Sequence, residues 1–423
     1  HLQPRMERHL TPADGDKPAK EDSTMTTALD EYREVSPKGT VDFLYRLSDL
    51  VKGRSVVHVS AVRYGGGAAE FLRRLVPMMT ALGVEARWEV IAGTQEFFAV
   101  VKRLTDALQG RDEKITEDMY QTFREINERN AKALNLEADM ILIHDHQPAG
   151  MVEYRTSGAW LWRCHLDLSQ PQRRAWTFLR RYALKYDAAI FSLSSFAQRL
   201  PIPKFIMYPS IDPLSPKNRE MTRSEINQIV DRLGIPRTKP VILQVAKFER
   251  FKDPLGAIQA YRIVKKHHDC QLVLAGSGVM HDPEGEAVLA EAREAAGRDP
   301  DIHLVQLPPE ADLEINALQR TATVVLQKSI REGFGVTVSE AMWKGKPVVG
   351  GNAEGIAAQI IDEVTGYVVH SAEGAGFRLR HLLNNPGLIA RMGAAGREHV
   401  RRNFFITRQL GDFLTLLKIM SPQ

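Results

Sequence analysis

The strongest constraint on the fold is an alternation of short apolar runs with longer helical stretches. Ser55-Val-Val-His-Val-Ser60 reads as a buried strand, Gly65-Gly-Gly67 as a turn and Ala68 to Leu82 as an amphipathic helix. Arg87-Trp-Glu-Val-Ile91 is the next strand, Thr116 to Leu136 a polar helix, and Asp139-Met-Ile-Leu-Ile-His144 a strand that ends in Asp145-His-Gln-Pro148. Ala188 to Ser192 and Lys204 to Tyr208 continue the pattern. Short apolar strands separated by helices predict parallel sheets covered on both faces.

The scheme then repeats. Pro209-Ser-Ile-Asp-Pro-Leu-Ser-Pro216 is a proline-punctuated stretch and marks a domain boundary. Beyond it, Pro240 to Val245, Cys270 to Ala275, Ile302 to Val305, Thr323 to Leu326 and Pro347 to Val349 read as strands with helices between them, and a last helix runs from about Phe405 to Met420. A chain of 423 residues suffices for two such domains. The expected division is a flexible leader over 1–27, a first domain over 28–212, a second over 213–402 and a final helical segment over 403–423. The leader mixes Pro, Asp, Lys, Glu and Thr with few apolar side chains, and it has no apolar core of the secretory type.

Composition removes several function classes. A net charge of +4 with scattered basic residues does not suggest a nucleic-acid partner. No apolar run approaches the length that spans a bilayer, so no membrane partner is expected. Cys164 and Cys270 fall outside any zinc or C-x-x-C spacing, which fits a reducing, cytoplasmic location.

The densest chemistry lies in Lys328-Ser-Ile-Arg-Glu-Gly-Phe-Gly-Val-Thr-Val-Ser-Glu340. Gly333, Phe334 and Gly335 form a turn into a short helix. Glu332 on the loop and Glu340 on the helix could both bond sugar hydroxyls around an anion held at the helix start. Lys328 and Arg331 stand just ahead, either paired with Glu332 or offered to a phosphate. Lys247 and Lys252 follow the strand ending at Val245. Two cations in a strand-end loop suit a diphosphate leaving group, with surface solvation as the alternative. Gly276 ends another strand, where a nucleotide contact and plain packing compete. Gly66 and Gly67 offer backbone amides to a phosphate or a sugar, or simply make a tight turn. His165 and Asp167, two apart, would share one face if that segment were extended, to orient the imidazole or bind acceptor hydroxyls. Gln147 is a weaker contact. In His144-Asp145-His146 adjacent side chains point to opposite faces of an extended segment and no third ligand is evident, so no metal site is expected.

Taken together, these motifs resemble the family 4 retaining glycosyltransferases, and more narrowly their trehalose-forming branch. Gly65-Gly-Gly-Ala-Ala-Glu70, Ile143-His-Asp-His-Gln-Pro148, Trp162-Arg-Cys-His-Leu-Asp-Leu-Ser169, Pro209-Ser-Ile-Asp-Pro213, Lys252-Asp-Pro254, Asp282-Pro-Glu-Gly285 and the Glu332/Glu340 spacing carry the likeness, which covers about residues 30–420. The departures are Lys247, where an arginine is usual, and Arg63-Tyr64 before the glycines. The resemblance implies an α/β fold of the GT-B type: two Rossmann-like domains whose parallel sheets face an interdomain cleft, with the last helix crossing back to the first domain. It also implies transfer of glucose from ADP-, UDP- or GDP-glucose to free glucose, giving trehalose. Glu332 would bind the transferred glucose, Glu340 the ribose, Lys247 and Lys252 the diphosphate, and His165 the sugar. No cofactor is required; a divalent cation such as magnesium is allowed as a diphosphate counterion, and a homodimer is allowed. Trehalose phosphorylase and a non-catalytic sugar-nucleotide sensor are the competing expectations.

Overall fold

The structure, a computed structural model, describes residues 29–63, 67–277 and 283–421. The expected leader and Gly66 lie outside the described residues. Two six-stranded, all-parallel sheets organise the rest. The first contains β1 (Ser55–Ser60), β2 (Glu85–Val90), β3 (Met140–His144), β4 (Ala159–Cys164), β5 (Ala188–Phe191) and β6 (Lys204–Ile206), in the order β2-β1-β3-β4-β5-β6. The second contains β7 (Val241–Val245), β8 (Gln271–Gly276), β9 (Ile302–Gln306), β10 (Val324–Gln327), β11 (Val348–Gly351) and β12 (Gly366–Val369), in the order β12-β11-β10-β7-β8-β9. Strands β3, β4, β7 and β8 are buried along their whole length, and β3, β7 and β8 accordingly read as mostly apolar runs.

Local chemistry sets many of the helix starts. The side chains of Thr94 and Thr116 accept from the backbone N–H groups of Phe97 and Met119, and Thr222 with Glu225 forms a capping box. The first of these helices, Gln95–Leu108, was not foreseen in the sequence, nor were β4, β12 and the helix Thr40–Asp49.

One face of the first sheet is covered by the aromatic cluster of Phe97, Phe123, Trp160, Trp162 and Phe178. The other is covered by the helices Gly67–Ala81 and Ile406–Met420, which bring Leu72, Met79, Leu410, Phe413, Leu414 and Leu417 onto Met140, Leu142 and Leu161. The last helix therefore belongs to the core of the first domain, as the resemblance implied. Each such side chain contributes roughly 1.5–3 kcal/mol through burial. The segment before that helix is tied to the domain boundary: Ile211 donates its N–H to Phe404 and accepts from Ile406 (2.8 and 2.9 Å).

In both sheets the strand order reverses beside the first strand of the half: between β1 and β3, and between β7 and β10. Loops leave in opposite directions at such a point and open a crevice at the carboxyl ends of the strands.

Candidate active site in the interdomain cleft

A cleft of about 510 Å³ lies where the two crevices meet, within the range of small-molecule sites. Glu332, Glu340, Lys247, Lys252, His165, Gly333, Phe334 and Gly335 all line it. These residues come from three separate segments of the chain, around 165, 247–252 and 332–340, so the fold brings together most of the residues singled out in the sequence.

The second-domain wall is built across the β7/β10 reversal. Gln244, buried on β7, staples the two loops: its amide donates to the Lys252 carbonyl (2.9 Å) and its Oε1 accepts from the Lys328 N–H (2.9 Å). That clamp sets Lys252 against Glu332, and the two form a close ion pair. Burial pulls the Lys252 pKa down, but the charge and hydrogen bond of Glu332 raise it overall, so the ammonium stays charged. The Ser329 hydroxyl also donates to Glu332 (3.3 Å). Lys247 lies on the same wall and makes no ion pair among the described residues.

Glycines in this wall are required by close approach. A Cβ on Gly276 would fall 1.7 Å from the Ala246 carbonyl oxygen. Gly276 therefore seats the Lys247 loop and is not among the residues that line the cleft, and this close approach by itself requires a glycine there. Gly335 has φ +75 at the start of the helix Val336–Trp343, a conformation glycine adopts without strain.

Glu340 on that helix is almost completely buried, at 1 % exposure, yet faces the cleft. Its Oε1 lies 3.9 Å from Lys217 Nζ, and its Oε2 has no partner among the described residues. Burial pushes the Glu340 pKa up against the pull of Lys217. A buried acceptor left open toward a cavity is a place for a ligand hydroxyl. Lys217 also holds both oxygens of Glu70 at 2.8 Å, joining the second-domain wall to the first.

On the first-domain wall, Asp145 (φ 64) accepts the backbone N–H of His165 at 2.8 Å. Burial, opposed by that hydrogen bond and by Arg163, pushes Asp145 up to about 6. The His165 ring meets His144 (His165 Nε2 to His144 Nδ1, 3.3 Å), which meets His58 (His144 Nε2 to His58 Nδ1, 3.0 Å). The expected pairing of His165 with Asp167 is corrected: β4 stops at Cys164, and the two side chains take other partners. Asp167 accepts from Ser169 N–H (2.9 Å) and pairs with Arg331 (3.4 Å), bracing the domains against each other. Neither Asp167 nor Gln147 lines the cleft. Gly67 opens the helix Gly67–Ala81.

Other candidates are drawn away. Lys328 pairs with Asp253 (3.0 Å). His146 meets Thr105 and the Val101 carbonyl, each at 3.1 Å, while His144 joins the histidine row. Among the described residues no group of three His, Cys, Asp or Glu could hold a metal ion, and no helix is long and apolar enough to cross a membrane.

Several lining residues went unread in the sequence. Arg74 donates to Asp212 (2.6 Å), whose other oxygen accepts from Tyr32 (2.9 Å). Gln409 of the last helix accepts from Ser210. Lys217, four residues past the Pro-Ser-Ile-Asp-Pro string, is not a lining residue but stands 3.9 Å from Glu340. Gln409 interrupts the apolar stripe of Ile406, Leu410 and Phe413, and that interruption was the available signal.

Comparison with known proteins agrees with this geometry. Residues 58–198 match a family model described as trehalose synthase, N-terminal domain, and residues 225–399 match one for glycosyl transferases group 1. A trehalose synthase of Pyrococcus horikoshii is 43% identical over 405 residues, covering 94% of this chain and 98% of that protein. A trehalose phosphorylase of Pleurotus pulmonarius is 25% identical, over 88% of this chain but only 58% of its own length. Among solved structures, a UDP-forming α,α-trehalose-phosphate synthase from Burkholderia xenovorans in complex with glucose-6-phosphate superposes with a TM-score of 0.71 at 13% identity, over 86% of this chain and all of that one.

Proposed function

From a chain that belongs to the trehalose synthase family of GT-B glycosyltransferases, we propose an enzyme that moves glucose from a nucleoside-diphosphate glucose to free glucose, with retention, to give α,α-trehalose. The diphosphate lies against Lys247 and Lys252, whose positive charge meets the negative charge that builds on the leaving group. Glu332 holds hydroxyls of the transferred glucose, and the open oxygen of Glu340 takes those of the ribose. His165 faces the sugar from the other wall. The bond from C1 to the diphosphate oxygen breaks as the bond from C1 to the acceptor O1 forms on the same face. The acceptor proton passes to the departing phosphate oxygen, so no side-chain nucleophile is needed. The two lysines neutralise the diphosphate, so the reading needs no cofactor, and magnesium would serve only as a counterion.

One observation carries the choice of an uncharged acceptor. On the first-domain wall Arg74 is the only Lys or Arg among the described lining residues, and Asp212 already holds it at 2.6 Å. Four arginines near the motif string could in principle have met a sugar phosphate. Arg155 pairs with Asp187, Arg163 is fully buried, and neither these nor Arg173 and Arg174 line the cleft. A phosphorylated acceptor would find no free cation there.

The test supplies ADP-, UDP- and GDP-glucose with either glucose or glucose 6-phosphate and identifies the product by NMR. Unphosphorylated α,α-trehalose is expected. A β linkage overturns the mechanism, and a strong preference for glucose 6-phosphate overturns the acceptor. Turnover that requires trehalose and inorganic phosphate makes the protein a phosphorylase, and binding without turnover makes it a sensor.

A further inference from the structure

His58 and His144 lie on adjacent parallel strands and on the same face of the first sheet, at 0 % and 1 % exposure. With His165 they form a stacked row: ring centroids are 5.3 Å apart for His58 and His144 and 5.6 Å for His144 and His165, with interplanar angles of 27° and 18°. Phe71 closes over His144 and His165, and Phe413 of the last helix meets His58. Only the His165 end opens onto the cleft. Three imidazoles in line, joined nitrogen to nitrogen, are more than packing requires, because apolar residues would fill the same space without polar atoms to satisfy.

We propose that His58 and His144 are positioning residues, which hold His165 in the tautomer that carries its proton on Nδ1 and so present an N–H donor to the sugar in the cleft. The proposal rests on the glucosyl-transfer reading above. A row of neutral rings admits two proton orders. In one, His58 Nδ1–H donates to His144 Nε2, His144 Nδ1–H donates to His165 Nε2, and His165 is left with Nδ1–H. The bare nitrogen is then His58 Nε2, the buried atom that has no partner among the described residues. In the reverse order His58 Nε2 must carry a proton in the same apolar surroundings. An orphaned buried N–H is the rarer and more costly defect. The first order strands no donor, because its last N–H reaches a cleft where sugar oxygens can accept it. Burial keeps the rings neutral, with His58 pulled down to about 3 and His144 and His165 well below the usual imidazole range.

The idea is tested first without any substrate. Long-range proton–nitrogen NMR of the full chain labelled with nitrogen-15 in histidine reads the tautomer of His165, assigned by the signals lost in His165→Gln. Protonation on Nδ1 is expected; protonation on Nε2 overturns the proposal. This readout stands even if no glucosyl transfer is found, which separates its failure from that of the proposed function. The second arm compares His144→Asn with His144→Phe. The asparagine amide can occupy the Nδ1 position and donate to His165, whereas phenylalanine fills the space and donates nothing. For His144→Asn, kcat should stay within about 3-fold of the parent. For His144→Phe it should drop about 10- to 100-fold, with KM for the donor nearly unchanged and the His165 proton moved to Nε2. Unchanged kcat and unchanged tautomer in His144→Phe would show that the row is packing alone.

Discussion

A Cβ on Gly333 would lie 2.4 Å from the carbonyl oxygen of His165, so the loop that carries Glu332 touches the opposite wall through bare backbone. Gly333→Ala should push the walls apart by about 1 Å, and a displacement of that size costs on the order of 100-fold in rate. The strain is relieved by opening the cleft, so the melting temperature should change little. Kinetics and small-angle scattering check this together; an unaltered rate would show that the walls are not held at this contact.

Glu332→Ala should lower turnover by at least about 100-fold, the order expected for losing a well-placed transition-state group. It also deprives Lys252 of its partner, which should cost about 1–3 kcal/mol. Glu332→Gln separates the two effects, because an amide oxygen still accepts from the ammonium. It should melt near the parent and remain slow. Near-normal turnover in a folded Gln variant would remove Glu332 from the site.

Lys247→Ala and Lys252→Ala should each weaken nucleoside-diphosphate binding about 10-fold or more, the value of a charge-assisted hydrogen bond. Lys252→Ala should be the worse, because it also leaves Glu332 unneutralised beside the diphosphate. Trehalose affinity should be spared in both. Calorimetry decides, and equal nucleotide affinity in all three proteins would overturn the phosphate assignment.

Lys217→Met removes the cation paired with the Glu340 carboxylate. The Glu340 pKa, already raised by burial, should rise further in the folded protein. A folded pKa above the unfolded one contributes stability that is present below the unfolded value and is lost as pH rises through the folded value. The deficit of Lys217→Met relative to the parent should therefore be small near pH 4 and grow toward neutrality. A deficit independent of pH would mean that Glu340 does not feel Lys217.

The histidine row predicts the opposite slope. Its folded pKa values are depressed, so its contribution is present above the unfolded value of about 6.5 and is lost as pH falls toward about 3 for His58. Asp145 and Glu340 act in the reverse sense in this range, so the comparison must be differential. Between pH 6.5 and 5 the parent should lose about 1–2 kcal/mol more stability than His58→Asn. Parallel stability curves for the two proteins would place a charged ring in the folded state.

Much of the architecture was legible because buried parallel strands announce themselves as apolar runs, and β1, β3, β7, β8 and β10 did so. Strand β4 was missed because its sequence, Ala159-Trp-Leu-Trp-Arg-Cys164, carries an arginine that the fold buries by giving it the Met207 carbonyl at 2.9 Å. In the site, Glu332, Glu340 and Lys252 were readable because they sit at motif spacings. Lys217, Gln244 and Arg74 were not, because each acts through a partner 123, 84 or 138 positions away. Spacing along a chain carries no trace of such pairs. The His165–Asp167 expectation failed for a related reason: two-residue spacing pairs side chains only while the strand continues, and β4 ends at Cys164, before either residue.

The crossing of the last helix has a consequence in time. The first sheet has all its strands once Ile206 has been made, but one of its apolar faces waits for Leu410, Phe413 and Leu417. At a synthesis rate of about 5–20 residues per second, the roughly 200 intervening residues take on the order of 10–40 seconds. During that interval the nascent protein carries an uncovered hydrophobic surface while its second half is still being made. Loss of the final fifteen helical residues would therefore damage the half of the molecule that is translated first.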